Sequence, residues 1–282
     1  MSRFIDLHAH TSFSDGTKTP FQLVNHAKHV GLSAVAITDH DTVKGVGEAL
    51  KAGEEIGLEV VPGVEMDVEC DTEMHILGYY IDYNSPVLNR ILEELNANRM
   101  QRNVELIKKL NALGIDISID DVLNEAKGEV VGRLHIAKAM AARRFVATVD
   151  EAFKKYLRHD KPAYVEKQRL SPQQGIEIIK NAKGVPVLAH PLLIGLNFEQ
   201  LNLLVCELKT YGLMGIETYY VTHTRQEIQK LSELALKYDL LVTGGSDFHG
   251  DNKSDIEIGI GFGNLRVYYE LLEKLKQKAK SM

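Results

Sequence analysis

Short, largely apolar runs and amphipathic stretches take turns along this chain. Residues 4–8 (FIDLH), 33–38 (SAVAIT), 58–61 (LEVV), 185–189 (VPVLA), 214–220 (MGIETYY) and 240–243 (LLVT) read as buried strands. Such runs, bounded by turn residues, suit a parallel sheet covered on both faces. Between them apolar residues recur at helical spacing over 20–30, 46–56, 172–183, 198–211, 225–238 and 267–280, with Gly31 and Gly57 closing the first two. Residues 64–69 and 74–81 predict a hairpin across Cys70-Asp71-Thr72-Glu73, with Met66 opposite His75 and Glu65 about one step away. From Val87 the texture changes: Leu88, Ile91, Leu92, Leu95, Val104, Ile107 and Leu110 keep helical spacing, and 120–126, 134–143 and 150–157 continue as short helices. The expectation is an α/β chain formed by residues 1–95 and 165–282, interrupted by a helical insertion over 96–164.

Strand interiors stay apolar in this reading, while their last residues are His, Asp or Glu. His8 and His10 share one strand face. Ser14-Asp15-Gly16 is a turn able to bring a carboxylate back over them. His40, Glu65, His190, Asp247 and His249 each sit at or just past the end of a strand, and His75 sits in the hairpin. That edge of a parallel sheet or barrel is where functional side chains collect. Five of the eleven histidines (His26, His29, His135, His159, His223) are scattered; chance placement would scatter the other six too.

Taken singly, His8 or His75 reads as a hydrogen-bonded core histidine, Asp15 as a turn former and Asp41 as a helix cap. Jointly, His8, His10, Asp15, His40, Glu65, His75, His190, Asp247 and His249 exceed what one tetrahedral zinc site takes. Two or three divalent metals are expected, with Glu65 bridging and Asp39 and Asp41 outside the ligand set. Imidazole and carboxylate without thiolate suit Mn, Zn or Fe.

Composition narrows the classes. With 44% hydrophobic residues, no Trp and 33 Lys+Arg against 39 Asp+Glu, the chain has core material but no basic surplus for coating duplex DNA. Cys70 and Cys206 are two and far apart, which suggests no disulfide framework. No apolar signal region opens the sequence, and no run approaches the roughly 18 apolar residues of a membrane span. A cytoplasmic protein with no membrane attachment and no obligate protein partner is the expectation.

The motifs H-A-H (8–10), S-D-G (14–16), I-T-D-H-D (37–41), P-G-V-E (62–65), H-I-L-G-Y (75–79), A-H-P (189–191) and G-S-D-F-H (245–249) resemble those of the polymerase-and-histidinol-phosphatase (PHP) superfamily, in the same order and across the whole chain apart from the insertion. The resemblance implies a distorted (β/α)7 barrel with a three-metal site at its C-terminal mouth. It implies His8, His10, Glu65 and Asp247 for a first metal, Glu65, His75 and His190 for a second, and Asp15, His40 and His249 for a third; some members carry His at the place of Asp15. It also makes His8, His10, Glu65, Asp247 and His190 the catalytic group.

Within the insertion, Asn96, Arg99 and Arg102, the run 132–137 (GRLHIA) and the run 160–165 (DKPAYV) resemble the branch acting on 3′,5′-nucleoside bisphosphates and the 5′ ends of short RNA. Arg133, His135, Arg99, Arg102, Lys161 and Tyr164 are therefore the expected substrate contacts. Gly132-Arg133 opening a helix would offer free amides and a guanidinium to one phosphate. Arg99 and Arg102 read equally as a solvated, salt-bridged helix face. The expected reaction is phosphoester hydrolysis by a hydroxide bridging two metals, with a nucleotide or short RNA as substrate. His223 and a metal-bound water are both open as general acid. Two other readings compete: a small-molecule phosphatase such as a histidinol-phosphate phosphatase, and a non-catalytic metal-binding module supporting a polymerase.

Overall fold

The computed structural model describes residues 3–70, 72–126, 130–166 and 169–282. Seven strands hydrogen-bond to one another in chain order: β1 (Ile5–Asp6), β2 (Ala34–Ile37), β3 (Glu59–Val68), β4 (Met74–Tyr79), β5 (Val185–Leu188), β6 (Gly215–Tyr220) and β7 (Leu241–Gly245). All pairs are parallel except those of β4, which runs antiparallel to both β3 and β5. The sheet then returns on itself. Leu7 N donates to Gly244 O at 3.1 Å and Asp247 N to His8 O at 2.9 Å, which brings β7 against the strand that began the sheet. Gly245 makes this seam possible, since a Cβ there would lie 2.4 Å from the backbone N of His8. The architecture is the expected distorted (β/α)7 barrel.

Helices cover the outside: α1 (Pro20–His29), α2 (Val46–Ile56), α7 (Pro172–Asn181), α8 (Phe198–Tyr211), α9 (Arg225–Lys237) and α10 (Tyr269–Lys280). Their starts follow from local chemistry. Thr19, Ser171, Asn197 and Thr224 each accept a hydrogen bond from the backbone N–H three residues on. Leu23, Val24, Ile176, Ile179, Val205 and Leu231 then face the strands as one buried cluster with Val35, Ile37 and Val64.

Between β4 and α7 lie α3 (Pro86–Ala112), α4 (Ile119–Glu125), α5 (Arg133–Ala142) and α6 (Val149–Ala152), with a π turn over Phe153–Leu157. They carry a separate apolar cluster that includes Leu106, Leu110, Ile136, Met140 and Leu157. The first turns of α3 belong to the barrel instead, where Leu88 and Leu92 join its core. The expected boundary at 96 thus falls inside one continuous helix of 27 residues. Among the described residues no helix is long and apolar enough to cross a membrane.

Three expectations need correction. The runs 58–61 and 64–69 are one strand, β3, bridged through Pro62-Gly63. The hairpin register is also one step off, since Asp67 lies opposite His75 and Met66 opposite Ile76. Asp71, in the turn, falls outside the described residues. Because side chains alternate, this step decides the site: Glu65 and Asp67 share a face, so Glu65 and His75 point the same way. Finally, strand interiors are not wholly apolar, for Asp6 in β1 and Glu217 in β6 are both fully buried.

Candidate metal centre

The barrel mouth gathers all nine candidate ligands around Glu65. Its Oε2 lies 3.3 Å from His8 Nε2, 3.2 Å from His10 Nε2 and 3.1 Å from His40 Nδ1. Its Oε1 lies 2.8 Å from His75 Nδ1 and 3.0 Å from His190 Nε2. One carboxylate therefore shows a different oxygen to each of two histidine sets. Asp247 Oδ1 completes the first set, 3.6 Å from His8 Nε2 and 3.3 Å from His10 Nε2. A further group forms beside it: Asp15 Oδ1 is 3.2 Å from His249 Nε2 and 3.6 Å from His10 Nδ1, and Asp15 Oδ2 is 3.8 Å from His40 Nε2. His10 and His40 thus each face two groups rather than one. Asp15 gets there through the Ser14-Asp15-Gly16 turn, in which Gly16 N donates to Thr11 O at 3.0 Å. A Cβ on Gly16 would sit 2.3 Å from His10 O, so this close fold-back needs glycine.

The charges are strongly coupled. Burial pushes the Glu65 carboxyl up, but His40, His8 and His75 outweigh it and hold the group well below the usual carboxylate range. Asp247 and Asp15 behave alike: against burial, Lys253 and His249 act on Asp247, and His249 and His40 on Asp15. Burial disfavours charge on His10 and His75, yet Asp247 and Glu65 raise His10 to about 9, and Glu65 raises His75 to about 9. His40 goes the other way, to about 3, because its burial is not offset by Glu65 and Asp15.

The donor set fits a divalent cation. His8 Nε2, His10 Nε2, Glu65 Oε2 and Asp15 Oδ1 are buried with no hydrogen-bond partner among the described residues, a costly arrangement for polar atoms unless something else satisfies them. Three groups have ligand atoms all within 4.8 Å of one another: His10, Asp15, His40 and His249; His8, His10 and Glu65; His40, Glu65 and His75. The outer contacts set each ligand's free lone pair. His249 Nδ1 donates to Asp247 O at 2.7 Å, leaving Nε2 for Asp15's side. Asp39 does not reach the centre; it accepts from Thr11 N, Thr11 Oγ1 and Ser14 Oγ at 2.6–2.7 Å, pinning the turn that carries Asp15. Asp41 does not cap α2, whose first turn follows Gly45; its side chain accepts from Asp67 N and pairs with Arg99.

Three contributors were missed in the sequence. Glu217 faces His8 Nδ1 at 3.1 Å; Tyr220 OH donates to Asp247 Oδ2 at 2.8 Å; Lys253 Nζ donates to the same oxygen at 2.6 Å. An acid inside the otherwise buried run GIETYY was the available signal for the first. His223, open as a general acid, donates Nδ1–H to Thr218 O at 2.9 Å. Burial lowers its pKa, so its Nε2 carries a lone pair at neutral pH rather than a proton.

The expected substrate contacts separate. Arg99 and Arg102 are not a solvated face: Arg99 pairs with Asp41, and Arg102 is only 8% exposed. Arg102 donates to Asn103 Oδ1 at 2.7 Å, while its Nε is buried with no hydrogen-bond partner among the described residues. Burial, then the neighbouring Arg99 and Arg133, bring Arg102 down to about 9, still charged at neutral pH. His135 accepts from Gly132 N at 3.1 Å through Nδ1, so its proton lies on Nε2. Gly132 N is therefore not a free amide, contrary to expectation, and Arg133 donates to Leu157 O at 3.2 Å. Arg133 and Tyr164 line a cavity of about 1340 Å³ with Phe153, Arg158, His159 and Arg169. Lys161 pairs with Asp160 and is not part of that lining.

Comparisons with known proteins agree with this geometry. A model of the PHP domain matches residues 6–169. The chain is 34% identical over 250 residues to a 5′-3′ exoribonuclease of Haemophilus influenzae, covering 88% of this chain and 91% of that one. It is 30% identical over 257 residues to a 3′,5′-nucleoside bisphosphate phosphatase of Chromobacterium violaceum, covering 90% of each. A solved structure from Bifidobacterium adolescentis, assigned as a metal-dependent phosphoesterase, superposes with a TM-score of 0.85 at 31% identity, covering 99% of this chain and 97% of that one.

Proposed function

Because the chain belongs to the PHP domain family, we propose that it is a metal-dependent phosphoesterase acting on 3′,5′-nucleoside bisphosphates and on the 5′ ends of short RNA. The observation that carries this reading is a buried, incompletely paired arginine outside the ligand cluster. Buried Arg102 stands with Arg99 and Arg133 for neighbours, and its Nε lies buried with no hydrogen-bond partner among the described residues. A monoester engages the ligand cluster alone; a substrate with a second anionic group also satisfies the guanidinium, whose bidentate geometry suits phosphate. The activities for which the two relatives are named point to such substrates.

His8, His10, Glu65 and Asp247 would hold a first metal, Glu65, His75 and His190 a second, and Asp15, His40 and His249 a third, with Mn, Zn or Fe suited to these donors. Bound there, divalent metals supply polarisation of a phosphoryl group and acidification of water near neutral pH. The protein's own residues do the rest. Tyr220 and Lys253 hold Asp247 Oδ2 so that Oδ1 faces the histidines. His135, kept neutral by burial and protonated on Nε2, offers a donor to an anionic oxygen without adding charge. Residues 96–164 act as a cap over the mouth, tied down by Arg99 to Asp41 and Lys138 to Asn252.

The test is a panel: metal-loaded protein incubated with adenosine 3′,5′-bisphosphate, a short 5′-phosphorylated RNA and histidinol phosphate. Turnover of the first two is expected; hydrolysis of histidinol phosphate alone would sink the proposal.

A further inference from the structure

Glu217 is a fully buried carboxylate in the middle of β6. Its two oxygens do different work. Oε1 lies 3.1 Å from His8 Nδ1, and Oε2 accepts from the backbone N–H of His190 at 2.8 Å. Facing the Glu217 carboxylate, His8 sets its Nδ1–H on Oε1, which leaves Nε2 as the ring nitrogen turned toward Glu65 and Asp247 and the one able to ligate. His190 has φ +24°, a conformation that side chains other than glycine rarely adopt, and Pro191 follows it. Glu217 holds that strained turn from the backbone, and the turn sets His190 Nε2 3.0 Å from Glu65 Oε1 and 3.2 Å from His75 Nδ1.

We propose that Glu217 is a positioning residue shared by two metal sites, fixing the tautomer of His8 for the first and the backbone of His190 for the second. The inference rests on the ligand sets given above. Both of its neighbours are donors, and this dictates the effect of Glu217→Gln. An amide supplies one acceptor oxygen, and its NH2 must face the other donor. Gln therefore either drives His8 to the Nε2–H tautomer, which blocks the lone pair, or releases the His190 turn.

The experiment titrates zinc, in competition with a chromophoric chelator, into metal-stripped unmodified protein and into Glu217→Gln. Long-range 1H–15N spectra of the zinc-loaded chains report the histidine protons. The expected result is a loss of about 10–100-fold in zinc affinity, the usual cost of removing an outer partner of a metal-bound histidine, with near-UV circular dichroism of the metal-free chain unchanged. Unchanged affinity in Glu217→Gln, or a loss with neither the His8 proton nor the His190 backbone amide resonance displaced, overturns the shared role. Should Glu217→Gln not fold, the unmodified chain decides: zinc-bound His8 must keep its proton on Nδ1, and a proton on Nε2 overturns the inference. Failure of the underlying ligand assignment looks different, for then the unmodified chain itself takes up no zinc.

Discussion

Glu65 is the residue on which two histidine sets meet, each at its own oxygen. Glu65→Gln should therefore strip more than one metal at once. We expect a loss in metal affinity above the roughly 100-fold upper range of outer partners, read as metal retained per chain after dialysis. The titrations make a second prediction for the metal-stripped protein. His10 and His75 are raised to about 9 from an unfolded value near 6.5. The folded chain thus binds more protons than the unfolded chain between these values, and its stability falls as pH rises from about 6.5 to 9. The thermal midpoint should decline across that window, and added metal should reverse the trend, because ligation needs deprotonated histidines. At this scale seven of the nine ligand candidates stood out in the sequence as polar residues at or just past the end of an apolar run, Asp15 stood out by its turn, and His75 by its place in the hairpin. Glu217 was marked only as an acid in a buried run, and the roles of all three of Glu217, Tyr220 and Lys253 were hidden because they are defined by partners far along the chain or across a loop.

Among the elements, the β3–β4 hairpin shows how little separates a correct list of ligands from a correct site. The expected register set Met66 opposite His75, which turns Glu65 away from His75. The ladder instead pairs Asp67 with His75, and the difference lies in the turn, whose geometry composition does not specify. Helix α5 differs too: the amide of its N-cap, Gly132, is bonded to His135, and the proposed grip on a second phosphate rests instead on Arg102 of α3. This predicts a selective defect. Arg102→Ala should lower kcat/KM for adenosine 3′,5′-bisphosphate by roughly 10–100-fold, the range for losing a hydrogen bond to a charged group, while an aryl monophosphate loses little. Arg133→Ala should show the same selectivity; equal losses on both substrates would remove either arginine from substrate selection.

For the whole molecule, the strand–helix rhythm and the strand-end acids and histidines pointed to an α/β chain with one functional edge, and the resemblance to PHP proteins supplied the barrel. Its closure was not, because the seam depends on hydrogen bonds from Leu7 and Asp247 and on a glycine at 245 that packs against His8. Every ligand group draws on residues from the ends of at least two different strands, so bound metal would clamp the ring. Each site filled at 100 times its Kd should stabilise the fold by about 2.7 kcal/mol. Chelation should lower the thermal midpoint by several degrees, and a midpoint indifferent to chelator would count against ligands drawn from separate strands.

Helix α3 packs into the barrel at Leu88 and Leu92 and into the second apolar cluster at Leu106 and Leu110, without a break over its 27 residues. It works as a screw. Pitch sets how far Arg102 stands above the ligands, and phase sets the direction it faces. One residue inserted near Asn96 would raise Arg102 by only about 1.5 Å but turn it by about 100°. A whole heptad would return it to nearly the same bearing about 10 Å higher. On the proposed reading of Arg102, the span a substrate must bridge would be a matter of thread count.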